Sequence, residues 1–177
     1  LNQIISETFT SDYIKMFLPE EISSKDIMQG DFDYIFFTGS TQAGRQIAKT
    51  AGERLIPYTL ELGGKSPVII DDTADLKVSA RRIVKGKFMN AGQTCIAPDY
   101  LFAHASIREK LILEMINAIQ EFYGTYTPES TDYGRIIDIE AFNRLSKLIK
   151  SSKDKIIYGG HSDECTLYIE PTLIVED

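Results

Sequence analysis

Apolar runs and helical stripes alternate along the 177 residues, and this alternation predicts an α/β architecture with a largely parallel sheet. Residues 13–18 read as a short apolar strand. Tyr34-Ile35-Phe36-Phe37 is a stronger candidate, because a continuous apolar run suits a strand covered on both faces. It leads into Thr38-Gly39-Ser40-Thr41-Gln42-Ala43-Gly44, after which a helix is expected over residues 42–54. Strand, glycine turn and helix in that order present backbone N–H groups and a positive dipole end to an anion. Residues 57–62 read as extended, Gly63-Gly64 breaks them, and Pro67-Val68-Ile69-Ile70-Asp71 is a further buried strand.

Asp75 is placed to cap a helix that carries Ala80, Ile83, Val84 and Phe88 at helical spacing. That helix ends near Gly92, which puts Cys95 in the loop beyond it. A strand over 100–103 follows, then a helix capped by Ser106 with Ile107, Leu111, Met115, Ile119 and Phe122 as a core stripe. Residues 123–138 are polar and punctuated by Gly124, Pro128 and Gly134, and read as an exposed excursion. A helix over 141–151, a strand over 156–158, a turn at Gly159-Gly160 and a last strand over 168–175 complete the pattern. There is no internal repeat and no low-complexity tract.

Composition narrows the function. Apolar residues make up 43% and charged residues 25%, the ordinary mix of a globular protein. A net charge of −7 argues against nucleic acid as a partner, since phosphate binding needs a basic surface. No apolar run approaches the roughly 20 residues of a membrane-spanning helix, and no secretory signal is visible at the amino end. Cys95 and Cys165 are expected to be two reduced, unpaired thiols in a cytoplasmic protein. His104 and His161 lack metal-ligand spacing, so no metal site is expected.

Two segments carry candidate chemistry. Phe88-Met89-Asn90-Ala91-Gly92-Gln93-Thr94-Cys95-Ile96-Ala97-Pro98-Asp99-Tyr100 sets a cysteine among small residues, and Thr59-Leu60-Glu61-Leu62-Gly63-Gly64-Lys65-Ser66-Pro67 sets a glutamate before a glycine pair. Together they resemble the two active-site signatures of NAD(P)-dependent aldehyde dehydrogenases. Ala97-Pro98-Asp99-Tyr100 and Asp132-Tyr133-Gly134-Arg135-Ile136-Ile137 are similar to the class 3 and fatty-aldehyde branch of that family.

The resemblance implies a nucleophilic role for Cys95 and a general-base role for Glu61, which Leu60 and Leu62 are expected to desolvate. It places Gly39, Ser40, Thr41 and Gly44 against the diphosphate of NAD or NADP, and Leu62 and Gly63 beside the nicotinamide. Lys65 reads instead as a structural or solvated lysine. The implied fold is that of the aldehyde dehydrogenases, with Rossmann-like parallel sheets incomplete at both ends. Residues 1–60 are expected to form the end of a cofactor-binding domain, and 61–177 the start of a catalytic domain. The chain contains no tryptophan and lacks the family's oxyanion asparagine, ribose-binding lysine and downstream glutamate segment. It therefore resembles a middle fragment, inactive alone, of an enzyme that oxidises an aldehyde to an acid and assembles as a homodimer or homotetramer. A non-catalytic relative and a cysteine hydrolase pairing Cys95 with His104 are the competing readings.

Overall fold

The computed structural model describes residues 1–18 and 20–176. The chain divides into two compact units, Leu1–Leu62 and Gly63–Asp177. The first contains α1 (Asn2–Thr8), α2 (Ser24–Ile27), β1 (Ile35–Thr38), α3 (Thr41–Glu53) and β2 (Tyr58–Glu61). Strands β1 and β2 pair in parallel, Ile35 opposite Tyr58 and Thr38 opposite Glu61. Ile35, Ala51 and Ile56 form a small core, with Met28, Phe37 and Ile47 packed against it. The Arg54 guanidinium closes the unit by donating to the carbonyls of Met28 (3.0 Å) and Gly30 (2.7 Å).

The second unit contains β3 (Ser66–Ile70), α4 (Leu76–Phe88), β4 (Pro98–Ala103), α5 (Arg108–Tyr123) and α6 (Ile139–Ser151). Four short strands follow: β5 (Ile156–Tyr158), β6 (Ser162–Asp163), β7 (Tyr168–Ile169) and β8 (Leu173–Ile174). β3 and β4 are parallel, whereas β5 pairs with β8 and β6 with β7 in antiparallel fashion. Asp75 caps α4 through the amide of Val78, and Ala80, Ile83, Val84 and Phe88 are all buried. They meet Leu111, Met115, Ala118 and Ile119 of α5 in one core that also takes in Tyr123, Tyr133 and Tyr168.

Five expectations need correction. Residues 13–18 form no strand: the amides of Tyr13 and Ile14 both turn back to the Thr10 carbonyl, and among the described residues no partner strand pairs with them. The apolar strands are covered on one face only, with Phe36 67% and Ile69 79% exposed. An apolar run says that both faces tolerate burial, not that anything covers them. Ser106 is not a helix cap, because its amide and hydroxyl bond the His104 ring and α5 starts after a 3₁₀ turn, Ala105–Ile107. The polar segment 123–138 is only partly exposed, with Tyr123, Thr127, Tyr133 and Ile136 buried. Finally, the last strand splits into β7 and β8 around Pro171, which has no amide hydrogen to add to a ladder.

Candidate functional site

In the first unit, β1 delivers the chain to Gly39, and α3 begins two residues later. The Ser40 hydroxyl caps α3 by accepting from the Ala43 amide at 3.1 Å. The Gly39 amide donates to the Glu61 carbonyl at 3.0 Å, so the glycine turn and the end of β2 are tied together. Gly39 N–H and Ser40 Oγ therefore already have partners inside the protein. The amides of Thr41 and Gln42, in the first turn of a 13-residue helix, have no intrahelical acceptor and face the positive end of its dipole.

Gly44 has a packing role. A Cβ there would stand 2.7 Å from Leu62 Cδ2 and 3.6 Å from Leu60 Cδ1, so its absence lets α3 close on β2. Leu60 and Leu62 thus share the face of β2 that meets α3. Glu61 points the other way and is exposed. The expected desolvation of Glu61 by its two sequence neighbours does not occur, because strand alternation separates them.

In the second unit, α4 gives way to a 3₁₀ turn, Met89–Gly92, in which Asn90 (φ 54°) and Ala91 (φ 53°) are left-handed. Cys95 follows in a tight turn closed by the Ala97 amide on the Thr94 carbonyl at 3.1 Å, and its side chain is exposed. Across from it runs Gly64, where any Cβ would collide with the carbonyl oxygen of Cys95. The glycine pair is thus more than a break after β2: Gly64 admits the backbone that bears the cysteine. Gly63 faces open space, with nothing within 4 Å of the position a Cβ would take.

Three residues that sequence reasoning passed over organise this loop. Gln93 donates to the carbonyls of Asn90 (3.0 Å) and Arg135 (2.9 Å) and accepts from the Ile137 amide (2.9 Å). Arg135 donates to the carbonyls of Pro128 (2.7 Å), Tyr133 (3.1 Å) and Gly134 (3.2 Å) while lying over the Tyr168 ring. Asp99 accepts from Lys65 at 3.0 Å and lies 3.6 Å from Lys87, so Lys65 is an exposed ion-pair partner. Gln93 and Arg135 both sit in the quoted motifs, but nothing in a linear pattern pairs positions so far apart. Cys95 and Cys165 are both free, and among the described residues no cluster of three or more His, Cys, Asp or Glu is placed to hold a metal.

His104 is ruled out as a partner for Cys95. The cysteine precedes β4 and the histidine follows it, so six strand residues of about 3.3 Å each put roughly 20 Å between them. The His104 ring is in any case engaged by Ser106.

Within the second unit the exposed Cys95 turn lies against Gly64, ahead of the parallel pair β3 and β4, and sequence comparison supplies the class of protein. The aldehyde dehydrogenase family profile matches residues 18–176, and the chain belongs to that family. It is 46% identical over 98% of its length to 4,4'-diaponeurosporen-aldehyde dehydrogenase of Staphylococcus aureus, covering 38% of that protein. Over 85% of its length it is 44% identical to aldehyde dehydrogenase family 3 member A2 of Pongo abelii, covering 31% of it. The fold agrees with the substrate-bound state of Staphylococcus aureus AldH at a TM-score of 0.91, with 46% identity over 98% of this chain and 38% of that one. The chain thus spans well under half the length of these relatives. Among the described residues no helix is long and apolar enough to cross a membrane.

Proposed function

We propose that the enzyme carrying this chain oxidises an aldehyde to a carboxylic acid with NAD or NADP, using Cys95 as nucleophile and Glu61 as general base. The observation that carries the reading is the Cys95 turn: an exposed thiol on a backbone clamped by Gly64 and by Gln93. A thiolate attacks the aldehyde carbon, forming a C–S bond and a tetrahedral oxyanion. NAD(P), when bound, supplies the acceptor for the hydride that leaves as the carbonyl re-forms. Cys95 is left as a thioester, and Glu61 takes the proton from the water that hydrolyses it. Thr41 and Gln42 fit the diphosphate, since their amides open the α3 N-terminus. Leu62 and Gly63 are assigned to the nicotinamide side, where Gly63 leaves the backbone open to close approach.

The test uses enzyme carrying this chain. Residues 1–177 alone are proposed to be inactive, because the oxyanion asparagine and the ribose-binding lysine and glutamate of the family are absent from this sequence. Cys95→Ala should abolish NAD(P)H production from aldehyde. Glu61→Gln should keep a burst of NAD(P)H but slow steady turnover about 10² to 10⁴-fold, the usual contribution of general base catalysis. Near-normal turnover by Cys95→Ala would overturn the assignment and favour a non-catalytic role for this site.

A further inference from the structure

We propose that Gln93 and Arg135 act as a pair of positioning residues that hold the Cys95 turn at its reactive geometry. The proposal rests on the reading of Cys95 as the nucleophile. The Cys95 turn belongs to no sheet ladder, and the stretch that feeds it contains two consecutive left-handed non-glycine residues, Asn90 and Ala91. Such a backbone persists only where surrounding contacts over-determine it. The Gln93 carboxamide supplies such contacts. Both of its N–H groups are used, on Asn90 O and Arg135 O, and its oxygen accepts from Ile137 N. One carboxamide thereby joins the strained turn to residues 135–137.

That anchor is itself held. Arg135, whose carbonyl receives Gln93, directs its guanidinium back to the carbonyls of Pro128, Tyr133 and Gly134 and stacks 5.0 Å from the Tyr168 ring. Tyr168 is 1% exposed and bonded to Thr127, so the support ends in the core. Gly134 completes the contact, because a Cβ there would stand 3.5 Å from the backbone of Asn90 and Ala91. A rigid path therefore runs from the Tyr168 core through Arg135 and Gln93 to the residue two before Cys95.

The chemistry of the pair makes the role testable apart from simple packing. In Gln93→Glu the size is kept, but the amide nitrogen that donates to two carbonyls becomes a carboxylate oxygen that can only accept. In Gln93→Met the volume is kept and every hydrogen bond of the carboxamide is lost. Single-turnover NAD(P)H formation at saturating aldehyde, KM for aldehyde and the thermal midpoint are measured on enzyme carrying this chain. A positioning role predicts that Gln93→Ala, Gln93→Met and Gln93→Glu each lower the single-turnover rate about 10²-fold, the scale of a ~1 Å misplacement, with KM little changed. Full rates in folded Gln93→Ala, or restoration by Gln93→Met, would overturn it. If the Gln93 variants do not accumulate, Arg135→Lys, which replaces the planar fork reaching Pro128 from one nitrogen and Tyr133 and Gly134 from the other by a single point donor, must show the same split between rate and KM. Cys95→Ala is run alongside. An inactive Cys95→Ala with a fully active Gln93→Ala refutes the positioning pair alone, whereas an active Cys95→Ala refutes the underlying reading.

Discussion

Gly64 and Cys95 show how much a single missing methyl group decides. The chain after β2 can cross the cysteine turn only because Gly64 has no side chain to strike the Cys95 carbonyl. Gly64→Ala should therefore push that carbonyl away and destabilise the protein by about 1–3 kcal/mol, the usual range for overpacking. Turnover should fall with it, because the same backbone carries the thiol. Thermal melting and NAD(P)H assays on the variant check this, and an unchanged midpoint with unchanged turnover would contradict the contact. Gly63→Ala, with open space at its Cβ position, is the matched control and should leave the midpoint nearly unmoved.

Among the elements, α3 ends in a way its sequence does not favour. Leu55 is left-handed (φ 57°) and 89% exposed, while the Ile56 amide returns to the Ala51 carbonyl at 2.9 Å to close the helix. This position normally takes glycine. Leu55→Gly should stabilise the chain by about 0.5–1 kcal/mol, the left-handed penalty of roughly 1–2 kcal/mol less the extra chain entropy of glycine, roughly 0.5–1 kcal/mol. Urea unfolding measures it, and a lower midpoint would mean that Leu55 makes a contact its exposure hides. The helix starts are conventional by comparison: Ser40, Asp75 and Asp138 each accept from an amide three residues on.

For the whole molecule, the tyrosine cluster of the second unit should make stability fall at alkaline pH. Tyr123, Tyr133 and Tyr168 pack edge to face, and the Tyr133 hydroxyl donates to the Ile169 carbonyl at 2.9 Å. Burial is the first cause that raises all three above the ordinary tyrosine value of 10.0, strengthened for Tyr133 by its two tyrosine neighbours. Groups raised on folding contribute stability that is intact below the unfolded value and declines as pH climbs towards the folded one. The protein should thus be insensitive to these groups below pH 10 and lose stability progressively above it. Tyrosinate absorbance followed together with circular dichroism reads this directly. Ionisation of all nine tyrosines at the ordinary value, with the fold intact, would be the contrary result.

The Ser40 cap was not legible in the sequence, whereas the order of the main elements, the helix cap at Asp75, the buried stripe of α4, and the setting of Cys95 beyond a helix end were. These depend on local periodicity and on side chains that bond their own backbone, so neighbours along the chain suffice to specify them. The two motifs that point to the family were equally legible. Only the tertiary structure decided what the elements lean on. It turned Leu60 and Leu62 away from Glu61 and packed Gly44 against Leu60 and Leu62. It also buried Tyr133 and Ile136 of the polar segment 123–138, where Arg135 satisfies three of the segment's carbonyls. Contacts such as Gly64 with Cys95, or Gln93 with Arg135, join residues with no common period. They follow from where the backbone runs in space, which no linear pattern encodes.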